Sequence, residues 1–336
     1  MKQTILTFVL TFVLSSFASY MIASEEANLK EFKREVTREF SVSADPNLRI
    51  ENKYGNIRII EGTDNKITFK IEITGKGTTE ALAKEYAEAV SIDFAHSGNN
   101  ISATTVLKEI RNCNNCGRTT HYTVVAPKSV MMNLENKYGN IHLENAIKPL
   151  KVDLKYGNIE ANTLSDINID LKNGNATINA CENIQMDCGY TKIKIGKANR
   201  MKAVSKYDDF QIGTVSDVDM DTKYTKVKID KLNNSFVCND FKYCSLNISD
   251  ISTQFSRIKI DAGYSNIQLA LDKRHSFKAT LSSRYGNIKA GDITFNNVSL
   301  GNKARNTEGI SGIAGSNSNP SAVVDITASY GDIVFK

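Results

Sequence analysis

The residues best suited to chemistry are Cys113 and Cys116, within Arg111-Asn-Cys-Asn-Asn-Cys-Gly117. A C-x-x-C pair serves as a redox couple, as half a zinc site or as a loop staple. Redox chemistry requires a helix N-terminus to lower one thiol pKa, but here Gly117-Arg-Thr-Thr120 leads into a strand-like stretch. Zinc requires two more ligands. His121 offers one, and no other cysteine is close in sequence. The motif therefore reads as a disulfide staple at a hairpin or corner tip, closed once the chain reaches an oxidising compartment. His96, His121, His142 and His275 share no short spacing, and none adjoins a serine or cysteine nucleophile phrase. The 37 acidic residues leave open a glycosidase-like carboxylate pair drawn from neighbouring repeat copies. No catalytic residue, metal ligand set or cofactor is assigned on this basis.

The elements that would position such groups are set by a repeat. An aromatic recurs at Tyr138, Tyr156, Tyr190, Tyr207 and Tyr224, with Asn173 in its place once. The first interval is 18 and the rest are 17. A fixed period this short calls for a repeat architecture. Apolar residues alternate into each tyrosine, as in Val152, Leu154, Tyr156, or Met186, Cys188, Tyr190. Alternation is the strand signature, and running into the tyrosine it assigns that side chain to the inward face. Beyond the tyrosine the pattern resumes shifted by one, at Ile159 and Ala161, or Ile193 and Ile195. A phase shift means a bend, and Gly157 and Gly174 fit one needing positive φ or a close backbone approach. The pairs Tyr54-Gly55, Tyr138-Gly139, Tyr156-Gly157, Tyr285-Gly286 and Tyr330-Gly331 are therefore read as corners rather than as an active site.

Stacking copies in parallel gives an all-β chain wound as a β-solenoid, with 17–21 residues per rung and a narrow apolar core. A meander of hairpins is the alternative. It needs a turn signal at every reversal, and Asn173-Gly174 supplies only one. Two outward columns flank the corner. Asp153, Asp170, Asp187 and Asp221 are broken by Val204, and Lys137, Lys155, Lys172, Lys206 and Lys223 are broken by Gly189. They read as a solvated, charge-laced face.

In chain order, residues 1–23 carry Lys2, the apolar run from Ile5 to Val13 and a small-residue exit, the pattern of a signal peptide. Its removal would place the product in the periplasm, at the outer-membrane periphery or outside the cell, with no transmembrane span in the mature chain. Residues 28–130 read as a broader β-rich cap containing one helix over Thr78 to Val90. Residues 131–336 form the repeat region. Its interval lengthens after Asp230, its loop at 301–320 is rich in Gly, Asn and Ser, and a last strand pair around Tyr330 seals the end. A net charge of +5 without any basic block argues against nucleic acid as a partner.

The recurring Glu51-Asn-Lys-Tyr-Gly-Asn-Ile57 and Glu135 to Ile141, with Tyr156-Gly-Asn158, Tyr285-Gly-Asn287 and the terminal Tyr330-Gly-Asp332, resemble the DUF4097 group of adhesin-like β-strand repeat proteins. The resemblance covers nearly the whole mature chain, including the helix and the strand Tyr122 to Pro127. It implies a right-handed coil and brings no catalytic residue with it, while Cys113 and Cys116 depart from the family pattern. Two functions compete: an exported non-enzymatic scaffold or surface-interaction protein, whose partner would be a glycan or a cell-envelope protein, and a solenoid carbohydrate-active enzyme acting on polysaccharides.

Overall fold

The computed structural model describes residues 29–63, 65–111, 113–300 and 306–336. The leader at 1–23 lies outside them. The described chain is all-β apart from the helix Glu80–Glu88, and its 22 strands join in one continuous pairing network. Two ladders run the length of the molecule and meet at the tyrosine corners. The ladder before the corner passes from Asn47–Lys53 through Met131–Lys137 and Leu150–Lys155 to Arg257–Gly263, all in parallel. The ladder after it passes from Ile57–Gly62 through Ile141–Ala146 to Ser245–Ile248 and Asn266–Leu269. Successive copies therefore lie side by side, and the hairpin meander is excluded.

Parallel in-register stacking lines up equivalent side chains. Leu48, Met132, Leu150 and Ile167 form one inward column, continued by Met201, Val218, Phe236 and Ile258, all buried. Each buried aliphatic or aromatic side chain contributes about 1.5–3 kcal/mol, so the column, rather than any local propensity, holds the coil together. The outward columns are ion-paired as expected for a solvated face: Lys155 lies 3.3 Å from Asp153, and Lys172 bridges Asp170 at 3.6 Å and Asp187 at 2.5 Å.

Both ends of the stack are finished by antiparallel strands. At the start, Lys30–Ser41 pairs with Lys66–Gly77, which pairs with Gly117–Pro127. Lys30–Ser41 is an edge strand, and its ion pairs Glu31–Lys76, Lys33–Glu72 and Glu35–Lys70 cover it with charge, which discourages edge-to-edge association. The helix begins where the sequence places it. Thr79 caps it by accepting from the Leu82 N–H, and Ala83, Tyr86 and Ala87 face the core.

The other end differs from expectation in two ways. The last strand pair does not seal the coil. Val323–Ser329 inserts between Arg257–Gly263 and Phe277–Arg284, parallel to both, and Ile333–Phe335 likewise lies between Asn266–Leu269 and Ile288–Lys289. The segment 301–320 is not wholly a loop either: Thr307–Ala314 is a strand, antiparallel to Phe277–Arg284 and to Phe295–Leu300. Its Gly and Ser residues conceal the alternation, and its inward Ala314 is buried against the core.

Candidate functional site

The corner is built by a tyrosine in the left-handed region. Ten of the 12 tyrosines among the described residues have φ between 53° and 63°: Tyr54, Tyr138, Tyr156, Tyr190, Tyr207, Tyr224, Tyr243, Tyr264, Tyr285 and Tyr330. Asn173 has φ of 56°. A bulky residue seldom adopts this conformation, and here it reverses the side chain. Alternation assigns the tyrosine to the inside, but the flip puts it outside, and the ten rings are 37–64% exposed. Of the two roles open to Gly157 and Gly174, positive φ belongs instead to Tyr156 and Asn173. The role of the glycines is the close approach: a Cβ on Gly157 would stand 1.9 Å from the Gly139 carbonyl oxygen, and one on Gly174 1.8 Å from that of Gly157.

Outside the coil the rings stack on one another, with centroids 4.7–5.3 Å apart and planes within 16° of parallel. The spatial order is not the chain order, because Tyr330 sits between Tyr264 and Tyr285. Basic side chains from the preceding position lie over several rings, Lys53 over Tyr54 at 4.9 Å and Arg284 over Tyr285 at 5.2 Å among them. Stacked pairs contribute about 0.5–1.5 kcal/mol each beyond area burial, which offsets the left-handed backbone. The result is a ridge of phenol edges and cations along the coil, broken at Asn173.

Turning at one residue leaves corner N–H groups without ladder partners, and buried ones must be satisfied. Two solutions alternate along the chain. In the Tyr-Gly-Asn copies the asparagine side chain accepts from the next copy's N–H: Asn56 Oδ1 from Asn140 at 2.9 Å, Asn140 Oδ1 from Asn158 at 2.9 Å, Asn158 Oδ1 from Asn175 at 3.1 Å. In the middle copies a buried polar residue directly after the tyrosine takes over. The Thr191 N–H donates to Asp208 Oδ1 at 2.7 Å, the Asp208 N–H to Thr225 Oγ1 at 3.3 Å, and the Cys244 N–H to Ser265 Oγ at 2.9 Å. The two sequence classes that follow the tyrosine thus serve one requirement.

Asp208 is the one carboxylate in this inner chain, and burial raises its pKa above the ordinary value despite bonds from Thr191 and Lys206. A raised folded-state pKa means that its stabilising contribution is complete below the unfolded value near 3.9 and is lost as pH rises through the folded value. Asp208→Thr, which copies the neighbouring corners, is therefore expected to leave stability at pH 3.5 within about 0.5 kcal/mol of the parent and to raise it at pH 7. Urea unfolding at the two pH values measures this, and an equal change at both would refute the buried-charge account.

The sequence-selected groups are scattered. Cys113 and Cys116 are joined through their sulfurs across a turn, with Cα atoms 5.3 Å apart, beyond the helix: Tyr86 Oη donates to the Arg111 carbonyl at 2.9 Å. His121 Nδ1 accepts from the Asn56 N–H at 3.2 Å and does not join the cysteines, and His142 is exposed 3.5 Å from Glu160. His275 is buried, with Nε2 2.9 Å from the Ile251 carbonyl oxygen. Among the described residues no cluster of three or more His, Cys, Asp or Glu could hold a metal ion. The remaining cysteines are buried in the coil. Burial pushes the Cys181 thiol up to about 11 and those of Cys188 and Cys238 up to about 12, which makes them poor nucleophiles at neutral pH. Among the described residues no helix is long and apolar enough to cross a membrane.

The tyrosine ridge is what the sequence reading missed as a surface. The aromatic spacing was visible, but the side on which the rings emerge depends on the sign of φ at the tyrosine. The signal that pointed to it was ten tyrosines each preceding Gly or a small polar residue.

No curated protein matches the sequence. Solved structures similar to it include a candidate adhesin from Bacteroides fragilis, at 12% identity over 90% of this chain and 97% of that one, with a TM-score of 0.36. A second is a candidate adhesin from Parabacteroides distasonis, at 12% identity over 70% and 92%, with a TM-score of 0.33. A third is a candidate cell adhesion protein from Clostridium sporogenes, at 11% identity over 91% and 99%, with a TM-score of 0.23. The family model for Toastrack DUF4097 matches residues 46–335, from the strand entering the Tyr54 corner to the strand leaving the Tyr330 corner, and the chain belongs to that family.

Proposed function

We propose that the protein is an exported, non-enzymatic scaffold that presents a repetitive surface for interaction with a glycan or a cell-envelope protein. The coil is right-handed, with 17–21 residues per rung. Residues 1–23 are removed as a signal peptide, 28–130 form the N-terminal cap, and 131–336 form the repeat body. One observation carries this reading: the ridge of exposed tyrosines and flanking cations, repeated at strand spacing along the molecule and broken only at Asn173. A surface of identical groups at about 4.8 Å intervals suits an extended partner that engages many weak contacts at once. Several of the acidic residues beside it are already ion-paired, as Asp240 is with Lys223 and Lys242, both at 2.8 Å. That pairing fits a binding face better than a free acid and base awaiting a glycosidic oxygen. A screen of the mature protein against acidic and neutral glycans, reading binding and reducing-end release together, tests the proposal. Saturable binding without release is the expected result, and turnover of any glycan would replace this reading with the carbohydrate-active one.

Cys113 and Cys116 belong to the same reading as a loop staple without redox function. The ring they close spans only Asn114 and Asn115, so the entropic gain is small, about 1–2 kcal/mol at most. The double variant C113A/C116A is expected to unfold within about 1 kcal/mol of the parent, and the parent to lack insulin-reductase activity. A readily alkylated thiol in the oxidised mature protein, together with reductase activity, would restore the redox role.

A further inference from the structure

Three outward columns flank the corner, and over residues 132–230 each is interrupted once. The tyrosine column is broken at Asn173, the lysine column at Gly189 and the aspartate column at Val204. The three interruptions line a single depression of about 500 Å³, together with Tyr190. Ring stacking stops at Tyr156, which is stacked on Tyr138 at 5.0 Å, and resumes at Tyr190, which is stacked on Tyr207 at 4.9 Å. The Tyr156 N–H donates to the Lys172 carbonyl at 3.0 Å, so Asn173 occupies the intervening rung at the same left-handed φ.

Two rungs separate the facing rings by roughly 9.6 Å, twice the ladder spacing. That is the room taken by one more ring at the stacking distance of its neighbours. Tyr190 is the most exposed of the ten tyrosines at 64%. Gly189 places no cation over it, whereas Lys206 covers the next ring, Tyr207, at 5.2 Å. Lys172 lines the depression, with its ammonium held by Asp170 and Asp187. Val204 adds an exposed apolar wall where sister copies carry aspartate. The floor is the exposed amide of Asn173, able to donate to or accept from a polar ring edge.

We propose that the interruption at Asn173, Gly189 and Val204 is a binding site for one planar aromatic ring with a polar edge, which enters the ladder between Tyr156 and Tyr190. Each ring face gains an aromatic partner, the edge meets the Asn173 amide, and the depression beside Gly189 receives the group that carries the ring. The site does not depend on export or on the absence of an enzymatic activity.

The test uses p-cresol and a capped serine pentapeptide with one central tyrosine, titrated calorimetrically into the full mature chain. Saturable binding at one site per chain is expected. Asn173→Tyr completes the ladder in the manner of ten sister copies and is expected to weaken binding at least tenfold while the far-UV spectrum stays unchanged. Tyr224→Asn combined with Lys242→Gly and Asp261→Val transplants the interruption to another rung and is expected to raise the stoichiometry to two. A peptide that binds at least tenfold more tightly than p-cresol assigns the ring to a side chain of a partner protein. Equal affinities assign it to a free small aromatic, and either supports the slot. Parental binding in Asn173→Tyr, a stoichiometry of one in the transplant, or no saturable binding of either probe to the parent would overturn the proposal.

Discussion

Leu171→Asp is expected to cost about 3–5 kcal/mol of stability. Leu171 is fully buried and pairs in register with Leu154, in a column that Cys188 continues one copy later. A carboxylate there has apolar neighbours above, below and across a narrow core. With no partner, it stays ionised at a desolvation cost or takes up a proton. The second route makes the defect pH-dependent. Its folded pKa would be raised above the unfolded value near 3.9, so the loss should be smallest below about pH 3.9 and grow towards pH 7. Lys172→Gln, one residue on, removes a cation shared by two partly exposed aspartates and is expected to cost about 1 kcal/mol or less. Denaturant unfolding of both variants measures the contrast, and equal losses would mean that the inward face is misassigned.

Gly157→Ala is expected to be nearly as damaging, at about 3 kcal/mol or more, although it adds a single methyl group to a surface corner. The Cβ would lie 1.9 Å from the Gly139 carbonyl oxygen, a backbone atom that cannot rotate away. Relief requires adjacent rungs to separate, and that would break the Tyr156–Tyr138 stack at 5.0 Å and the Asn158 to Asn140 bond at 2.9 Å. Gly189→Ala is the control. Its Cβ would meet nothing nearer than the Lys172 side chain at 3.5 Å, so a change within about 1 kcal/mol is expected. If Gly157→Ala melts within a degree or two of Gly189→Ala, close rung approach is not the reason for glycine at these corners.

Much of the coil could be read directly from residue order. Period-two alternation at fixed intervals identifies Val152, Leu154, Ile159 and Ala161 as inward, and all four are buried. The spacing of Leu82, Tyr86 and Val90 locates the helix and Thr79 caps it, although the face it buries is Ala83, Tyr86 and Ala87. Strand face and helix position are legible because each is decided by the geometry of a few consecutive residues.

Three features required the tertiary structure. Alternation carried through Tyr156 points the ring inward. Only the left-handed backbone at that residue turns it out, and its cost is offset by rings from other copies that no local window contains. The strand Thr307–Ala314 has too little apolar contrast to declare itself and exists because two neighbours supply its hydrogen bonds. Finally, the sequence marks a last strand pair around Val323 to Ile326 and Tyr330, and the structure shows the strand to be Val323–Ser329 with Val324, Ile326 and Ala328 turned inward. Residue order did not determine between which rungs it lies. Every copy offers the same parallel edge, so local pattern cannot rank the neighbours. The choice between sealing the end and inserting beside Arg257–Gly263 was left to long-range packing, which decided for insertion.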